Sequence, residues 1–344
     1  MSNTLPARAS LSSPQLERLP LVTLYLTERC NSRCVTCDYW RHGRADMNLE
    51  SVTRLLPALA RLGTRTALIS GGEPLLNPEW QDIARLLADN GLKLWLLTSG
   101  LSLAKHARRA SELFDAITVS LDGTRSQTYA AIRGLDAFDK VCEGIRAAVT
   151  AGSRVGIRVT LQRVNYRELP EFVELAHRLG VHSISFLAVD VANPHAFGRT
   201  DDFATDVALR PEDLPVFGQL ISELVQHAAA DFRSGFIAES PAKLQRLQQY
   251  FAALHGQAGY PPVRCNAPEF SAVIGAKGAV QPCFFISGPA EVADHDPSDL
   301  GSILNSDAMV SLRQSIRAGE RAECVGCVCS LYRDPESLVD SLLP

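Results

Sequence analysis

The sequence contains no apolar run of the roughly eighteen residues that a membrane-spanning helix needs. It has no basic stripe, and its formal net charge of −4 argues against a nucleic-acid partner. Residues 1–20 are polar and hold no apolar stretch of the kind that forms a secretory signal. Without such a signal, the nine cysteines indicate a reducing cytoplasm in which thiols stay available for metals.

The length and composition indicate more than one structural unit. The chain has 344 residues, 46% of them hydrophobic, and single hydrophobic cores stop growing at about 250–300 residues. The odd cysteine count is a poor match for a disulfide framework. We therefore expect a protein that folds without disulfides.

Three cysteines, Cys30, Cys34 and Cys37, lie within eight residues of one another. Three thiolates so spaced can hold three irons of a [4Fe–4S] cube and leave the fourth iron open to a ligand. A zinc knuckle is the alternative, but a closed zinc site needs a fourth N or S ligand, and the nearest histidine is His42. The three cysteines therefore predict a metal site that holds either an iron–sulfur cluster or zinc.

From Leu21 onward, short apolar runs alternate with helical patterns, which is typical of consecutive βα units around a parallel sheet. The predicted strands are 21–27, 66–70, 93–98, 116–120, 154–161 and 183–188. The predicted helices between them are 49–62, 79–90, 137–151 and 169–179, and two more follow at 211–230 and 241–254. Six repeats predict the α/β class and a partial (βα)6 barrel.

Three motifs follow strands of this predicted sheet. The cysteine segment follows the first strand, Gly71-Gly72-Glu73-Pro74 follows the second, and Ser120-Leu121-Asp122-Gly123 follows the fourth. In parallel α/β folds, ligands bind at the carboxyl ends of the strands. Alone, Gly-Gly-Glu-Pro would be an ordinary turn, but the shared edge predicts a ligand site there.

A second set of cysteines lies near the C-terminus. It comprises Cys265, Cys283, Cys324, Cys327 and Cys329. A predicted hairpin over 270–282 brings Cys265 and Cys283 together, and the later pair can complete a four-thiolate site for a [4Fe–4S] cluster or, alternatively, a zinc ribbon. The remaining cysteine, Cys142, lies in an amphipathic helix and is expected to be a small core residue.

The spacing of Cys30, Cys34 and Cys37 resembles the signature of the radical S-adenosylmethionine (radical SAM) enzymes. The segment 70–74 resembles the methionine-binding segment of that family, and 120–123 resembles its fourth-strand motif. One departure is Thr36, where many members carry an aromatic residue. The resemblance implies that S-adenosylmethionine binds the open iron and, after reduction, yields a 5′-deoxyadenosyl radical that takes a hydrogen atom from substrate.

The segment from Cys265 through Gly278 to Cys283 resembles the opening of the SPASM and twitch domains, which carry auxiliary clusters. With few cysteines left, the chain resembles the shorter twitch form with one auxiliary [4Fe–4S] cluster. The fifth thiol, Cys329, has no assigned place. The expected units are an N-terminal extension (1–20), a barrel (21–189), a helical connection (190–262), a small α+β iron–sulfur domain (263–333) and a tail (334–344).

The resemblance also implies the contacts of the cofactor. The expected cofactor-binding residues are Tyr39, Gly71, Gly72, Glu73, Pro74, Ser120, Asp122 and Arg158. In this assignment Glu73 accepts a hydrogen bond from the methionine ammonium, and Ser120 and Asp122 bind ribose hydroxyls. Arg158 either pairs with the methionine carboxylate or is a surface residue of its strand.

A closed auxiliary cluster favours a net oxidation, dehydrogenase-like, in which a base removes a proton. Acid–base candidates in and beyond the polar stretch after the sixth strand are Asp190, His195, Arg199 and Glu239, although charged loop residues are usually solvated. Because only about twenty residues precede the first strand, we expect a small metabolite (an aminocyclitol, sugar or nucleoside) rather than a peptide bound through a leader domain. A peptide substrate and a non-catalytic zinc scaffold remain alternatives, and an electron donor such as flavodoxin or ferredoxin is the expected partner.

Overall fold

The computed structural model describes residues 15–191, 193, 196–199, 206–286 and 299–333. Its strands form one sheet. They are β1 Leu21–Thr27, β2 Thr66–Gly71, β3 Lys93–Thr98, β4 Ala116–Ser120, β5 Val155–Leu161, β6 Ser183–Ala188, β7 Ser271–Ile274 and β8 Val280–Gln281. Their order across the sheet is β6-β5-β4-β3-β2-β1-β7-β8, and all neighbours are parallel except β7 and β8.

Helices follow the strands of the barrel in the expected alternation. They are α1 Tyr39–His42, α2 Leu49–Arg61, α3 Trp80–Asp89, α4 Leu103–Leu113, α5 Ser126–Arg133, α6 Phe138–Thr150, α7 Leu169–Leu179, α8 Leu214–His227, α9 Ala229–Ser234, α10 Pro241–Leu254, α11 Leu300–Leu304, α12 Asp307–Ala318 and α13 Ala322–Val325. The prediction of a partial βα barrel with a small C-terminal unit is confirmed. The sheet is open, with β6 at one edge and β8 at the other.

Two helices of the barrel, α4 and α5, were missing from the sequence prediction. In α4 the mean hydropathy is low, and only Leu103, Ala107 and Ala110 are buried. Helix α5 is eight residues long, which is too short for a clear periodic pattern. The predicted helix over 211–230 is shorter than expected, because α8 begins at Leu214 and a break at Ala228 separates it from α9.

Each barrel strand has one face against the surrounding helices and one face toward the interior of the barrel. Strand β5 shows this most clearly, since its residues alternate between buried and half-buried along its whole length. Val155, Ile157 and Val159 pack into the main hydrophobic core, whereas Arg158 belongs to the other face. The sheet therefore presents polar residues to its interior near the carboxyl ends of the strands.

The C-terminal unit continues the sheet of the barrel. Strand β7 pairs in parallel with β1, from Leu21 opposite Ser271 to Leu24 opposite Ile274. A turn closed by the Gly275 N–H to Ala279 O hydrogen bond (2.8 Å) then leads to β8, as the predicted hairpin requires. None of the helices in the described ranges has the length and apolar character of a membrane span.

The segment between β1 and α2, which carries the first three cysteines, is closed at its base by Asn77. This side chain is 1% exposed and donates to the carbonyls of Leu26 (2.7 Å) and Met47 (2.8 Å). Its own oxygen accepts from the Glu79 N–H at 2.7 Å. This buried amide therefore reinforces the direct backbone bond from the Met47 N–H to the Leu26 carbonyl (2.9 Å), which joins the two ends of the cysteine segment.

We expect Asn77→Ala to lower the free energy of unfolding by about 2–3 kcal/mol, because it removes the Asn77 partner of the Met47 carbonyl and of the Glu79 N–H. The matched control is Asn90→Ala, which removes an exposed amide bonded to the Leu86 carbonyl at 2.8 Å and should cost at most about 0.5 kcal/mol. Urea unfolding of anaerobically prepared protein measures both. Equal losses in the two variants would contradict the role given to Asn77.

Candidate active site

The cysteine loop, residues 28–38 between β1 and α1, carries Cys30, Cys34 and Cys37 without regular structure of its own. Its backbone is held by three other parts of the protein: the end of β2, the C-terminal end of α5 and the segment after β6. These bonds are Glu73 N–H to Arg29 O (2.8 Å), Arg33 N–H to Arg133 O (2.9 Å), Val35 N–H to Ile132 O (3.0 Å) and Asp38 N–H to Phe197 O (3.0 Å). The thiols are therefore placed by contacts from outside the loop.

Gly71, the last residue of β2, and Gly72 allow close packing at the end of this strand. Gly71 has a φ of 122°, which favours glycine, and a Cβ there would overlap the Thr27 carbonyl. A Cβ on Gly72 would overlap the Arg29 carbonyl in the same way. Gly71 therefore allows close approach to the end of β1, and Gly72 allows close approach to the backbone of the cysteine loop. Their contact with a cofactor stays a prediction.

Glu73 is completely buried and is bonded to the chain itself. Its carboxylate accepts from the Ser99 N–H (2.6 Å), the Thr98 hydroxyl (2.8 Å) and the Leu75 N–H (3.2 Å). Burial raises the pKa of Glu73, and these donors oppose the rise. Glu73 therefore joins the ends of β2 and β3, next to the short turn that Pro74 begins. Its contact with a methionine ammonium stays a prediction.

The Asp122 carboxylate is also engaged by the protein. It accepts from the Thr160 N–H at 2.7 Å and pairs with Arg133 at 2.6 Å, and the residue is 3% exposed. Ser120, at the end of β4, is half-buried on the interior face. Of the two residues predicted to bind ribose, Ser120 is thus the more open. The ribose contacts of both remain predictions.

Arg133, a residue that the sequence did not single out, links Asp122 to the cysteine loop. Its guanidinium donates to the Cys34 Sγ at 3.5 Å while it pairs with Asp122. Burial disfavours the charged form, but the Asp122 carboxylate and Cys34 outweigh it and raise the pKa of Arg133. The Arg133 Nε is buried and has no hydrogen-bond partner among the described residues. A buried donor remains available beside the thiols.

Aromatic rings lie between the two cysteine sets. Tyr39 meets Tyr25 edge-to-face at 5.8 Å, and Tyr25 in turn lies 6.4 Å from Phe284, which follows Cys283. Burial raises the pKa of Tyr39 to about 12, and Cys37 adds to the rise. Burial also raises the pKa of Tyr25, with smaller contributions from Cys37 and Cys283. Tyr25 is thus close to both sets of thiols.

Arg158 is half-buried on an interior strand and donates to the Ser185 hydroxyl on β6 at 3.2 Å. This placement is inconsistent with an exposed surface residue. Its expected pairing with the methionine carboxylate remains a prediction.

All five C-terminal cysteines line one cavity of about 80 Å³. They are Cys265, Cys283, Cys324, Cys327 and Cys329. Apolar side chains, including Phe284 and Leu331, form much of the remaining wall. Cys142, in contrast, is 3% exposed within the core, as predicted. The cavity therefore brings together the thiols that the spacing assigned to one auxiliary site. Cys329 lines the same cavity as the other four cysteines.

Two of the predicted acid–base residues form a buried ion pair beside the cysteine loop. The Arg199 Nη1 lies 3.6 Å from the Asp190 Oδ1, and both side chains are at most 3% exposed. Arg199 also donates to the carbonyls of Asn193 (3.0 Å) and Thr36 (3.2 Å), so it ties the segment after β6 to the cysteine loop. A third candidate, His195, lies outside the described residues.

Glu239 is the fourth candidate and is buried near the interior face of the barrel. Its carboxylate accepts from the Phe186 N–H (2.7 Å) and lies 3.5 Å from the Lys243 Nζ. Burial raises the pKa of Glu239, whereas Lys243 and Arg158 oppose the rise. Burial likewise raises the pKa of Cys329, opposed by the same two cations. The charges of Arg158 and Lys243 thus act on both Glu239 and the auxiliary thiol Cys329.

All nine cysteines are free thiols. Burial raises the pKa of Cys30 to about 11 and the pKa of Cys37 to about 12. Because metal ligation requires thiolates, cluster assembly must release these protons. The first set supplies three thiols beside the buried Arg133 donor, and the second supplies five around one cavity. In number and chemistry, these thiols suit an open three-cysteine cluster and a closed four-cysteine [4Fe–4S] cluster.

Profiles of two protein families match the chain. The Radical SAM superfamily profile matches residues 24–176, and the profile of SPASM, an iron–sulfur cluster-binding domain, matches residues 265–328. The GTP 3′,8-cyclase of Bradyrhizobium diazoefficiens is 31% identical over 252 residues, which are 69% of this chain and 72% of that relative. The chain belongs to the radical SAM superfamily.

Other relatives carry different names. The GTP 3′,8-cyclase of Erythrobacter litoralis is 32% identical over 203 residues, covering 56% of this chain and 61% of the relative. The Fe-coproporphyrin III synthase of Methanosarcina barkeri is 26% identical over 208 residues, covering 58% and 51%. The chain therefore spans about half to three quarters of the length of these relatives.

Solved structures share the fold at low identity. Streptococcus suis SuiB bound to S-adenosylmethionine has a TM-score of 0.62 and 14% identity, covering 92% of this chain and 74% of SuiB. The structure of anSMEcpe with bound AdoMet has a TM-score of 0.65 and 16% identity, covering 89% and 85%. The radical SAM enzyme thus has a SAM-binding [4Fe–4S] cluster, an auxiliary cluster and S-adenosylmethionine as cofactors. The zinc scaffold has no support from these matches.

The iron content tests the two cysteine sets. Reconstituted protein should hold roughly eight irons per chain, and Cys34→Ala or Cys283→Ala should each remove about four, because each breaks one cube. The control is Cys142→Ala, which removes a core thiol and should keep all eight irons. A wild-type value near four that Cys283→Ala does not change would argue against the auxiliary site.

Proposed function

We propose that this radical SAM enzyme removes a hydrogen atom from a small, polar metabolite and completes a net oxidation. The observation that carries the proposal is the contact of the buried Glu239 with Lys243 (3.5 Å), within electrostatic range of Arg158 on β5 and of the auxiliary thiol Cys329. A substrate bound there would have the cysteine loop on one side and the auxiliary site on the other. Charged groups at this place suit hydroxyl, amino or acidic substituents.

When bound, the cofactors supply a 5′-deoxyadenosyl radical to start the reaction and an electron acceptor to finish it. We propose Cys30, Cys34 and Cys37 as ligands of the SAM-binding cluster. We assign the auxiliary cluster to four of the five C-terminal thiols. The part of the protein is to orient substrate and cofactor and to exclude water.

We place S-adenosylmethionine against the carboxyl ends of the barrel strands. Ser120 and Arg158 belong to the half-buried interior face there and can contact it directly. Tyr39 lies beside Cys37, at the start of α1. Gly71, Gly72, Glu73, Pro74 and Asp122 would support the same site mainly through their contacts with the loop and with neighbouring strand ends. In this proposal the barrel (21–189) binds S-adenosylmethionine, the C-terminal unit (263–333) holds the auxiliary cluster, and the helical segment 190–262 connects them.

Glu239 is our candidate for the base that takes the proton lost in the oxidation. Burial raises the pKa of Glu239 toward neutral pH, and a general base works best when its pKa is near the pH of the reaction. Lys243 at 3.5 Å can hold its charge in position. Asp190 and Arg199 are instead tied to each other and to backbone carbonyls, which suits a structural role.

The named activities of the sequence relatives favour a small molecule. The relatives are named as a GTP cyclase and a porphyrin synthase, and neither name denotes a peptide-modifying enzyme. A rearrangement like that of a cyclase is a second candidate reaction. A peptide substrate is a third, since the SuiB fold also binds a precursor peptide, although at 14% identity that likeness concerns the fold alone.

Uncoupling variants test the proposed oxidation. In a screen of aminocyclitols, sugars and nucleosides, the substrate should stimulate release of 5′-deoxyadenosine. With it, Cys34→Ala should abolish release, because the open cluster is lost. Cys283→Ala and Glu239→Gln should keep release but lower product formation at least about tenfold. Glu143→Gln, an exposed carboxylate on α6, is the control. Stimulation by a peptide alone, or an unoxidised isomer as product, would contradict the proposal.

The electron that starts the reaction must enter near the cysteine loop. A cleft of about 580 Å³ is lined by Cys30, Asn31, Arg33, Trp40, Arg41 and Arg44. Its three arginines are exposed, and no carboxylate of the described residues lines it. We propose that an acidic electron donor of the flavodoxin or ferredoxin type, present in the cytoplasm, docks there through complementary charge.

Charge reversal tests this docking face. Arg33→Glu combined with Arg44→Glu should slow donor-driven release of 5′-deoxyadenosine about tenfold at low salt, with a smaller effect as salt screens the charges. Release driven by dithionite should stay at the wild-type rate. The control is Arg108→Glu on α4, whose side chain is 94% exposed. An equal loss with both reductants would place the arginines in the site itself instead of on a docking face.

A further inference from the structure

Arg133 makes a direct polar contact with one thiol of the cysteine loop. Its Nη1 lies 3.5 Å from the Cys34 Sγ, and its side chain is 11% exposed. A guanidinium is always charged, so its bond to a thiolate is charge-assisted. Arg133 therefore brings a full positive charge to the sulfur of a proposed cluster ligand.

Asp122 fixes the other side of the guanidinium. Its two carboxylate oxygens are divided between Arg133 Nη2 at 2.6 Å and the Thr160 N–H at 2.7 Å. The Asn165 amide donates to the Asp122 carbonyl at 3.0 Å, which fixes the backbone as well. The pair is thus anchored at the carboxyl ends of β4 and β5.

The backbone at the end of α5 holds the residues on both sides of Cys34. Arg33 donates to the Arg133 carbonyl at 2.9 Å, and Val35 donates to the Ile132 carbonyl at 3.0 Å. Gly134, with a φ of 72°, ends the helix where any side chain would overlap Arg33. The guanidinium and the thiol are therefore fixed relative to each other by two backbone bonds.

We infer that Arg133, held by Asp122, is a positioning residue that sets the reduction potential of the SAM-binding cluster through Cys34. The inference rests on the proposed ligand role of Cys34. Reduction adds negative charge to the cluster, and a cation bonded to a ligand sulfur stabilises that state. The carboxylate of Asp122 offsets part of this charge. Removing the charge of Arg133 should therefore lower the reduction potential of the cluster. Removing the charge of Asp122 should raise it.

The test is a redox titration of the reconstituted holoprotein without substrate, followed by electron paramagnetic resonance. Arg133→Gln should make the SAM-binding cluster harder to reduce by at least about tenfold in the equilibrium constant, which is 59 mV for one electron. Asp122→Asn should make it easier to reduce, because the Arg133 charge is no longer offset. Arg133→Lys keeps the charge and should give a potential between those of wild type and Arg133→Gln.

Two controls separate this effect from lost stability. Arg125→Gln breaks the ion pair of the exposed Arg125 with the buried Glu168 (2.9 Å), at the other end of α5, and should change the melting temperature without changing the potential. The auxiliary cluster in each sample should keep its wild-type potential. Cluster content and melting temperature show whether each variant is folded and loaded.

Opposite shifts for Arg133→Gln and Asp122→Asn, with Arg125→Gln unchanged, would support the inference. Shifts in the same direction, or no shift in protein that holds both clusters, would overturn it. Because no substrate is present, the result does not depend on whether the proposed oxidation is right. If Cys34→Ala keeps the full iron content, the ligand assignment and the inference fail together, while the docking and oxidation tests are judged separately.

Discussion

The structure depends on holding an irregular loop of three thiols in one position. Residues 28–38 supply few backbone hydrogen bonds to one another, so their polar groups are satisfied from outside, as buried backbone requires. The ends of β2 and α5 and the segment after β6 each provide at least one bond. Asn77 closes the base of the segment. The barrel places each of these donors and acceptors at the same edge of the sheet.

This constraint explains several residues that do not look functional in isolation. Phe197 adopts a φ of 59°, which costs a bulky residue about 1–3 kcal/mol, while its carbonyl accepts from Asp38. The buried Arg199 spans from the same segment to the Thr36 carbonyl. Such strain and such buried charge persist only where surrounding contacts impose them. Both occur beside the thiols, where the loop gains rigidity from them.

The barrel strands, their order along the chain and the two sets of cysteines could be predicted from the sequence. Continuous apolar runs such as 94–97 and short glycine-rich turns are local signals, and the βα alternation fixes where strand ends meet. The partners of single side chains were not predictable. Arg133 lies in α5, a helix too short to show periodicity, so no local pattern marked it. The contacts of Glu73 and Asp122 depend on residues from neighbouring strands, which no local pattern contains.

The place of β1 in the sheet has a consequence for how the chain is made. Leu21 pairs on one side with Thr66 and on the other with Ser271, so one edge of β1 has no partner until most of the chain has left the ribosome. The hydrogen bonds between Leu16 and Asn305 form later still. During synthesis, an open strand edge therefore lies next to reactive thiols, which is a template for aggregation. A chain that stops short of β7 would keep this edge open permanently.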